Sequence, residues 1–194
     1  MFGGYYTREA VSPQAAPTQM PYFQQTPATA FPTVFHTAYA MIEAGPDYPS
    51  ISGLVTFLDV PGGVRVCANI SGLPLFKPAT GGKQPIGPFG FHIHEKGNCT
   101  IGDPAKPFEA SGGHWNPTNQ PHGNHAGDFP VLFSNKGMAN MCFFTDRFTV
   151  ADILGRSVMI HENPDDYRSQ PAGNSGKRIA CGAIRPWGAF QQMQ

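Results

Sequence analysis

The chain has 194 residues, with 13 basic and 13 acidic side chains and a formal net charge of zero; charged residues are 13% of it, against about 25% in an average soluble protein. This balance leaves no basic excess to hold nucleic acid or an anionic membrane, and no apolar run approaches the roughly 20 residues of a membrane helix. Hydrophobic residues (40%) and aromatics (12%) suffice for one core, while 23 glycines and 20 prolines disfavour a helical protein and point to short strands joined by many turns.

Residues 1–35 carry Pro13, Pro17, Pro21, Pro27 and Pro32, with only Arg8 and Glu9 charged. Proline at this density blocks both helices and sheet ladders, so a disordered or semi-extended tail is expected. No basic stretch leads into a 7–15-residue apolar run, so a secretory leader is not expected, which points to a cytoplasmic or surface-associated chain. A single domain is expected over 36–187, followed by a short C-terminal tail, 188–194. Ala38–Glu43 reads as a short strand. Ile51–Val60 and the alternating Val64–Ser71 flank Pro61-Gly62-Gly63 as a hairpin. Gly90–His94, Val131–Phe133, Met138–Phe144, Ser157–His161 and Ile179–Ile184 follow as further strands. No segment reads as a helix. The expected fold is an antiparallel β-sandwich or barrel. Two connections, Lys96–Asp128 and Glu162–Lys177, exceed ordinary loop length and are expected to be functional.

Of the seven histidines, five fall within His92–His125, and histidine is the commonest metal ligand. His92 and His94, at i and i+2 on a strand, project from one face. HWNPTNQPHGNHAGD adds His114, His122, His125 and Asp128 within fifteen residues, a nitrogen and oxygen set that suits tetrahedral zinc. His161 closes the run SVMIH, with Asp165 and Asp166 just beyond; carboxylates near metal-bound histidines commonly orient the ring. Arg178 stands beside the last strand, placed to attract a small anion or to face solvent. Cys67, Cys99, Cys142 and Cys181 form no CxxC module, and their even number permits two disulfides without fixing any.

Taken in order, FHIHEKGNC, GGHWNP, HGNHAGD, VMIHENPDD and GNSGKRIACGAI closely resemble the signature segments of the copper/zinc superoxide dismutase family, over about residues 38–186. The resemblance implies an eight-stranded antiparallel Greek-key β-sandwich or flattened barrel with two long functional loops. It implies copper held by His92, His94, His114 and His161, and zinc held by His114, His122, His125 and Asp128, with His114 shared as an imidazolate. Asp165 would then hydrogen-bond ligands of both sites, Arg178 would guide superoxide, and Cys99 and Cys181 would form a disulfide. Arg178 and His114 would serve turnover, with superoxide as substrate and copper and zinc, one each per subunit, as cofactors. A homodimer and a copper donor are the partners so implied. Because the chain is neutral, steering is expected from local charge, Arg178 and Lys177. Family topology makes the strands of Cys67 and Cys142 neighbours, leaving open a second disulfide or two free thiols. One departure stands out: only Gly123 and Asn124 separate His122 from His125, where well-known members carry a longer insertion, although Gly123 permits a tight turn. The competing readings are a non-catalytic copper-binding or delivery module and a surface structural protein that retains the fold.

Overall fold

The computed structural model describes residues 36–190; the predicted N-terminal tail and the last four residues lie outside them. Seven strands form one antiparallel sheet: β1 (Thr37–Ala44), β2 (Ser52–Val60), β3 (Gly63–Ser71), β4 (Phe91–His94), β5 (Ala139–Thr145), β6 (Ser157–His161) and β7 (Arg178–Pro186), in the order β4-β6-β7-β1-β2-β3-β5. The hairpin β2–β3 closes over Pro61-Gly62, with Val60 opposite Gly63 and Gly62 at φ 88°, a conformation that glycine adopts without steric cost.

Burial follows the period of two. Along β3, Val64, Val66, Ala68 and Ile70 are buried while Arg65 and Asn69 face outward, and Val55 and Phe57 of β2 join the same core. Strand β6 (SVMIH) is buried throughout because β4 and β7 flank it and both of its faces are covered, the situation that favours a continuous apolar run. The sheet curls into a half-barrel. Its two edge strands, β4 and β5, approach through Phe129, whose ring packs at 5.3 Å on Phe91 and at 5.0 Å on Phe143.

Two expectations change. The described residues form seven strands rather than eight, because Val131–Phe133 makes a single bridge, Phe89 with Leu132. The Val131 N–H donates to Tyr167 Oη at 2.9 Å, which diverts it from any strand neighbour. Two four-residue helices also occur, α1 (Val150–Ile153) and α2 (Trp187–Phe190), where the sequence suggests none. Helix α1 starts where Asp152 Oδ2 accepts from Thr149 N at 2.8 Å and from Thr149 Oγ1 at 2.7 Å, a reciprocal N-terminal cap of the T-x-x-D kind. No described helix is long and apolar enough to cross a membrane.

Both pairs of cysteines are bonded, Cys67 to Cys142 and Cys99 to Cys181. Cys67 and Cys142 are register partners across β3 and β5, with Cα atoms 4.1 Å apart, so the second disulfide replaces the alternative of free thiols. Cys181 is fully buried against Phe108 and Met159.

Candidate metal centre

Strand β4 alternates Phe91 and Ile93 into the apolar core with His92 and His94 on the opposite face. Its edge away from β6 carries loop backbone instead of a strand. Trp115 N donates to Ile93 O at 2.8 Å and Ile93 N to Gly127 O at 2.9 Å, and bridges form between His92 and Asp128 and between His94 and His114. Two parts of the long loop thus deliver His114 and Asp128 beside the β4 histidines. Gly127 permits the approach, since a Cβ there would lie 2.9 Å from Ile93 O. On the other side of β4, a register irregularity at Ile160/His161 turns His161 toward the same point, as such bulges do.

Which ring nitrogen each histidine presents follows from its other partner. A carbonyl only accepts, so His94 Nδ1, 3.0 Å from Gly112 O, and His161 Nδ1, 3.1 Å from Gly176 O, both carry protons. Their Nε2 atoms therefore face each other as bare lone pairs at 3.3 Å. Asp165 accepts from His92 Nε2 at 2.6 Å and from His122 Nε2 at 2.8 Å, which leaves both Nδ1 atoms free. His92 Nδ1, His114 Nε2, His122 Nδ1 and His125 Nδ1 are buried without a hydrogen-bond partner. Orphaned buried acceptors of this kind are rare and call for an explanation; a cation between converging lone pairs supplies one.

The two ligand groups are His92, His94, His114 and His161, and His114, His122, His125 and Asp128; within each, the ligand atoms lie within 4.8 Å of one another. They meet at His114, whose Nδ1 lies 3.2 Å from Asp128 Oδ1 and whose Nε2 is left for the first group. In the second group, His122 Nδ1 and His125 Nδ1 each lie 3.3 Å from an Asp128 oxygen without hydrogen-bond alignment. Ligands about 2.0–2.1 Å from a tetrahedral zinc sit roughly 3.3 Å apart, so this set fits zinc; the all-imidazole set suits copper. Gly123, at φ 92°, makes the tight turn that the short spacing requires.

Burial favours the neutral form of four of the imidazoles. It holds His92 and His94 well below the ordinary histidine value, with neighbouring histidines adding to the effect, and pushes His161 down to about 3. Burial also lowers His125. For Asp128, burial acts upward but is outweighed by the hydrogen bond from His114 and the nearby histidines, so its carboxyl stays below the usual range. Neutral imidazoles and an ionised carboxylate are the forms that bind metal.

Arg178 Nη1 donates to Phe108 O at 2.7 Å and Ser111 Oγ at 3.1 Å, and Nη2 to Gly112 O at 2.8 Å. Gly112 O also accepts from His94, so the guanidinium is fixed beside the His94 ring. Lys177 differs from expectation: its ammonium is paired with Asp47, which offsets its charge. Asp166 turns away to Ser169 and Asn174. The carbonyls of Gly112 and Gly176 escape sequence reasoning, because backbone acceptors carry no side-chain signature.

The chain matches the copper/zinc superoxide dismutase (SODC) family over residues 51–184. It is 37% identical over 152 residues to the Superoxide dismutase [Cu-Zn] of Deinococcus radiodurans, covering 70% of this chain and 78% of that one. It is 38% identical over 116 residues to the superoxide dismutase-like protein YojM of Bacillus subtilis, covering 52% and 57%. Among solved structures, the Cu/Zn superoxide dismutase from Brucella abortus superposes with a TM-score of 0.61 at 28% identity, over 76% of this chain and 98% of that one. Fold, ligand groups and sequence agree, and the chain belongs to the copper/zinc superoxide dismutase family.

Proposed function

We propose that this protein dismutates superoxide, with copper held by His92, His94, His114 and His161 and zinc by His114, His122, His125 and Asp128. The observation that carries the reading is the pair of four-residue groups that share one imidazole, with four of their converging ring nitrogens buried and unpartnered. Copper bound there supplies one-electron chemistry in both directions, so that one superoxide leaves as dioxygen and a second as peroxide, whereas zinc has no redox chemistry.

The chain's own residues do the rest. Arg178 presents the fixed positive charge that draws a small anion toward the copper-side histidines; its three acceptors hold its plane. His114 Nε2 is the atom at which a proton can be held beside that anion, while Asp128 keeps the opposite nitrogen engaged. Asp165 orients one ring of each group through separate oxygens. A complete copper-side set together with Arg178 argues for turnover over passive copper carriage. The finer architecture, an eight-stranded Greek-key barrel, draws support from the Phe89–Leu132 bridge beside β4. The reading also carries a homodimer and a protein copper donor; sedimentation of the metal-loaded chain checks the former.

The decisive experiment is metal analysis of the purified chain with a dismutation assay before and after chelation. One copper and one zinc per chain are expected, with activity lost on chelation and restored by copper. Full activity in a copper-free preparation overturns the reading.

A further inference from the structure

The zinc-side ligands sit on an unusually short segment, with two residues between His122 and His125. Asp128 ties this segment from within, through Gly123 N and His125 N, and a second loop grips it from outside at several points. Gln170 Oε1 accepts from His122 N at 2.9 Å, and Gln170 Nε2 donates to His122 O at 3.4 Å. Gly123 runs so close to this loop that a Cβ there would lie 2.4 Å from Tyr167 O. Tyr167 N donates to Asp165 Oδ1 at 2.7 Å, the oxygen that also receives His122 Nε2. Tyr167 Oη donates to Phe129 O at 3.0 Å and accepts from Val131 N at 2.9 Å, so one hydroxyl clamps the chain just after Asp128. Tyr167 does this from φ 55°, a conformation unfavourable for a bulky residue and held only where surroundings enforce it.

We propose that Tyr167 and Gln170 are positioning residues for the zinc-side ligands. Gln170 holds the main chain of His122 and Tyr167 the stretch after Asp128, so that the 162–177 loop fixes from outside the two ends of the segment that Asp128 ties from within. The side-chain hydrogen bonds of both residues run to backbone atoms. The proposal rests on the zinc assignment above. It goes further in tying zinc affinity to two residues that no motif singles out, and it makes the order of the second loop and the zinc-side set mutually dependent. A residue that orients a ligand from outside typically changes metal affinity by about 10–100-fold when lost; acting one step further out, these two belong at the low end.

The test is equilibrium competition for zinc between the full-length, copper- and zinc-loaded chain and a chromophoric chelator, with copper retention and thermal midpoint measured on the same samples. The variants are Tyr167→Phe, Gln170→Ala, Gln170→Glu and Ser169→Ala. Ser169 bonds Asp166 and Asn174 within its own loop and does not reach the zinc-side segment. Tyr167→Phe and Gln170→Ala are each expected to weaken zinc roughly tenfold with copper retained, while Gln170→Glu, which keeps the acceptor for His122 N, and Ser169→Ala stay within about twofold of the parent. The proposal is overturned if Tyr167→Phe and Gln170→Ala hold zinc as tightly as the parent, or if Ser169→Ala weakens it as much as they do, since general loop loosening would then suffice. A parent chain that takes up copper but no zinc sinks the zinc assignment itself, an outcome distinct from equal zinc affinities across the series.

Discussion

A histidine offers a metal whichever ring nitrogen its other hydrogen bond leaves bare, so the partners on the far side of each ring decide the site. Asp165 is the strongest such partner, since it fixes His92 and His122 at once, one ring from each group. Asp165→Ala leaves both rings free to rotate or to take the wrong tautomer. It should weaken both metals by about 10–100-fold in chelator competition; loss confined to one metal would show that the two rings are oriented independently. Arg178 acts on the substrate side. The chain is neutral overall and Lys177 is paired with Asp47, whereas Arg178 is held in place beside His94 by three backbone and side-chain acceptors. Removing Arg178 by substitution with Ala should lower the dismutation rate by roughly tenfold or more and flatten its dependence on ionic strength. Unchanged salt dependence at a reduced rate would assign Arg178 to site geometry rather than to attraction.

At the scale of elements, the Cys99–Cys181 bond fastens the long loop to β7, and Phe108, in that loop, packs on the buried sulfur side. Phe108 also supplies the carbonyl that holds Arg178, so the clasp reaches from covalent structure to the mouth of the site. The bond spans 82 residues, and replacing both cysteines by serine should cost about 2–5 kcal/mol in denaturant unfolding. Activity measured well below the transition should fall as well, because the turn that seats Arg178 loses its anchor; full activity in the folded variant would separate the two roles. Most of these elements are legible in the sequence. Alternation in VRVCANIS and the apolar run SVMIH mark β3 and β6 because side-chain burial dictates those patterns. Val131–Phe133 misleads because its apolar pattern is that of a strand, whereas Tyr167, distant in sequence, captures its backbone N–H. Helix α1 escapes because a single turn is too short for periodicity to register, and only the Thr149/Asp152 cap marks it.

For the molecule as a whole, the metal groups are part of the barrel rather than an attachment to it. The side chains that the fold gathers into the two groups, His92, His94, His114, His122, His125, Asp128 and His161, are legible in the sequence because metal chemistry restricts residue type. The carbonyls, the Gln170 contact and the pairing of Lys177 are not, since they depend on how distant loops meet. The segment 122–129 shows the consequence. It borders β4, delivers Phe129 to the contact between the two sheet edges, and is organised about Asp128, which accepts from Gly123 N at 2.8 Å, His125 N at 3.1 Å and His114 Nδ1 at 3.2 Å. Zinc held by this segment would therefore stabilise the fold itself. A ligand present at about a thousand times its dissociation constant adds roughly 4 kcal/mol, and 1 kcal/mol moves the midpoint of a domain this size by about 2–4 °C. Calorimetry of the parent chain should accordingly show a zinc-dependent rise on the order of 10 °C. In Asp128→Ala most of that rise should vanish and zinc occupancy should fall first, with copper less affected because His92, His94, His114 and His161 remain. A midpoint that rises with zinc equally in parent and variant would mean that the metal stabilises the chain from some other site, and that Asp128 organises the loop without holding zinc.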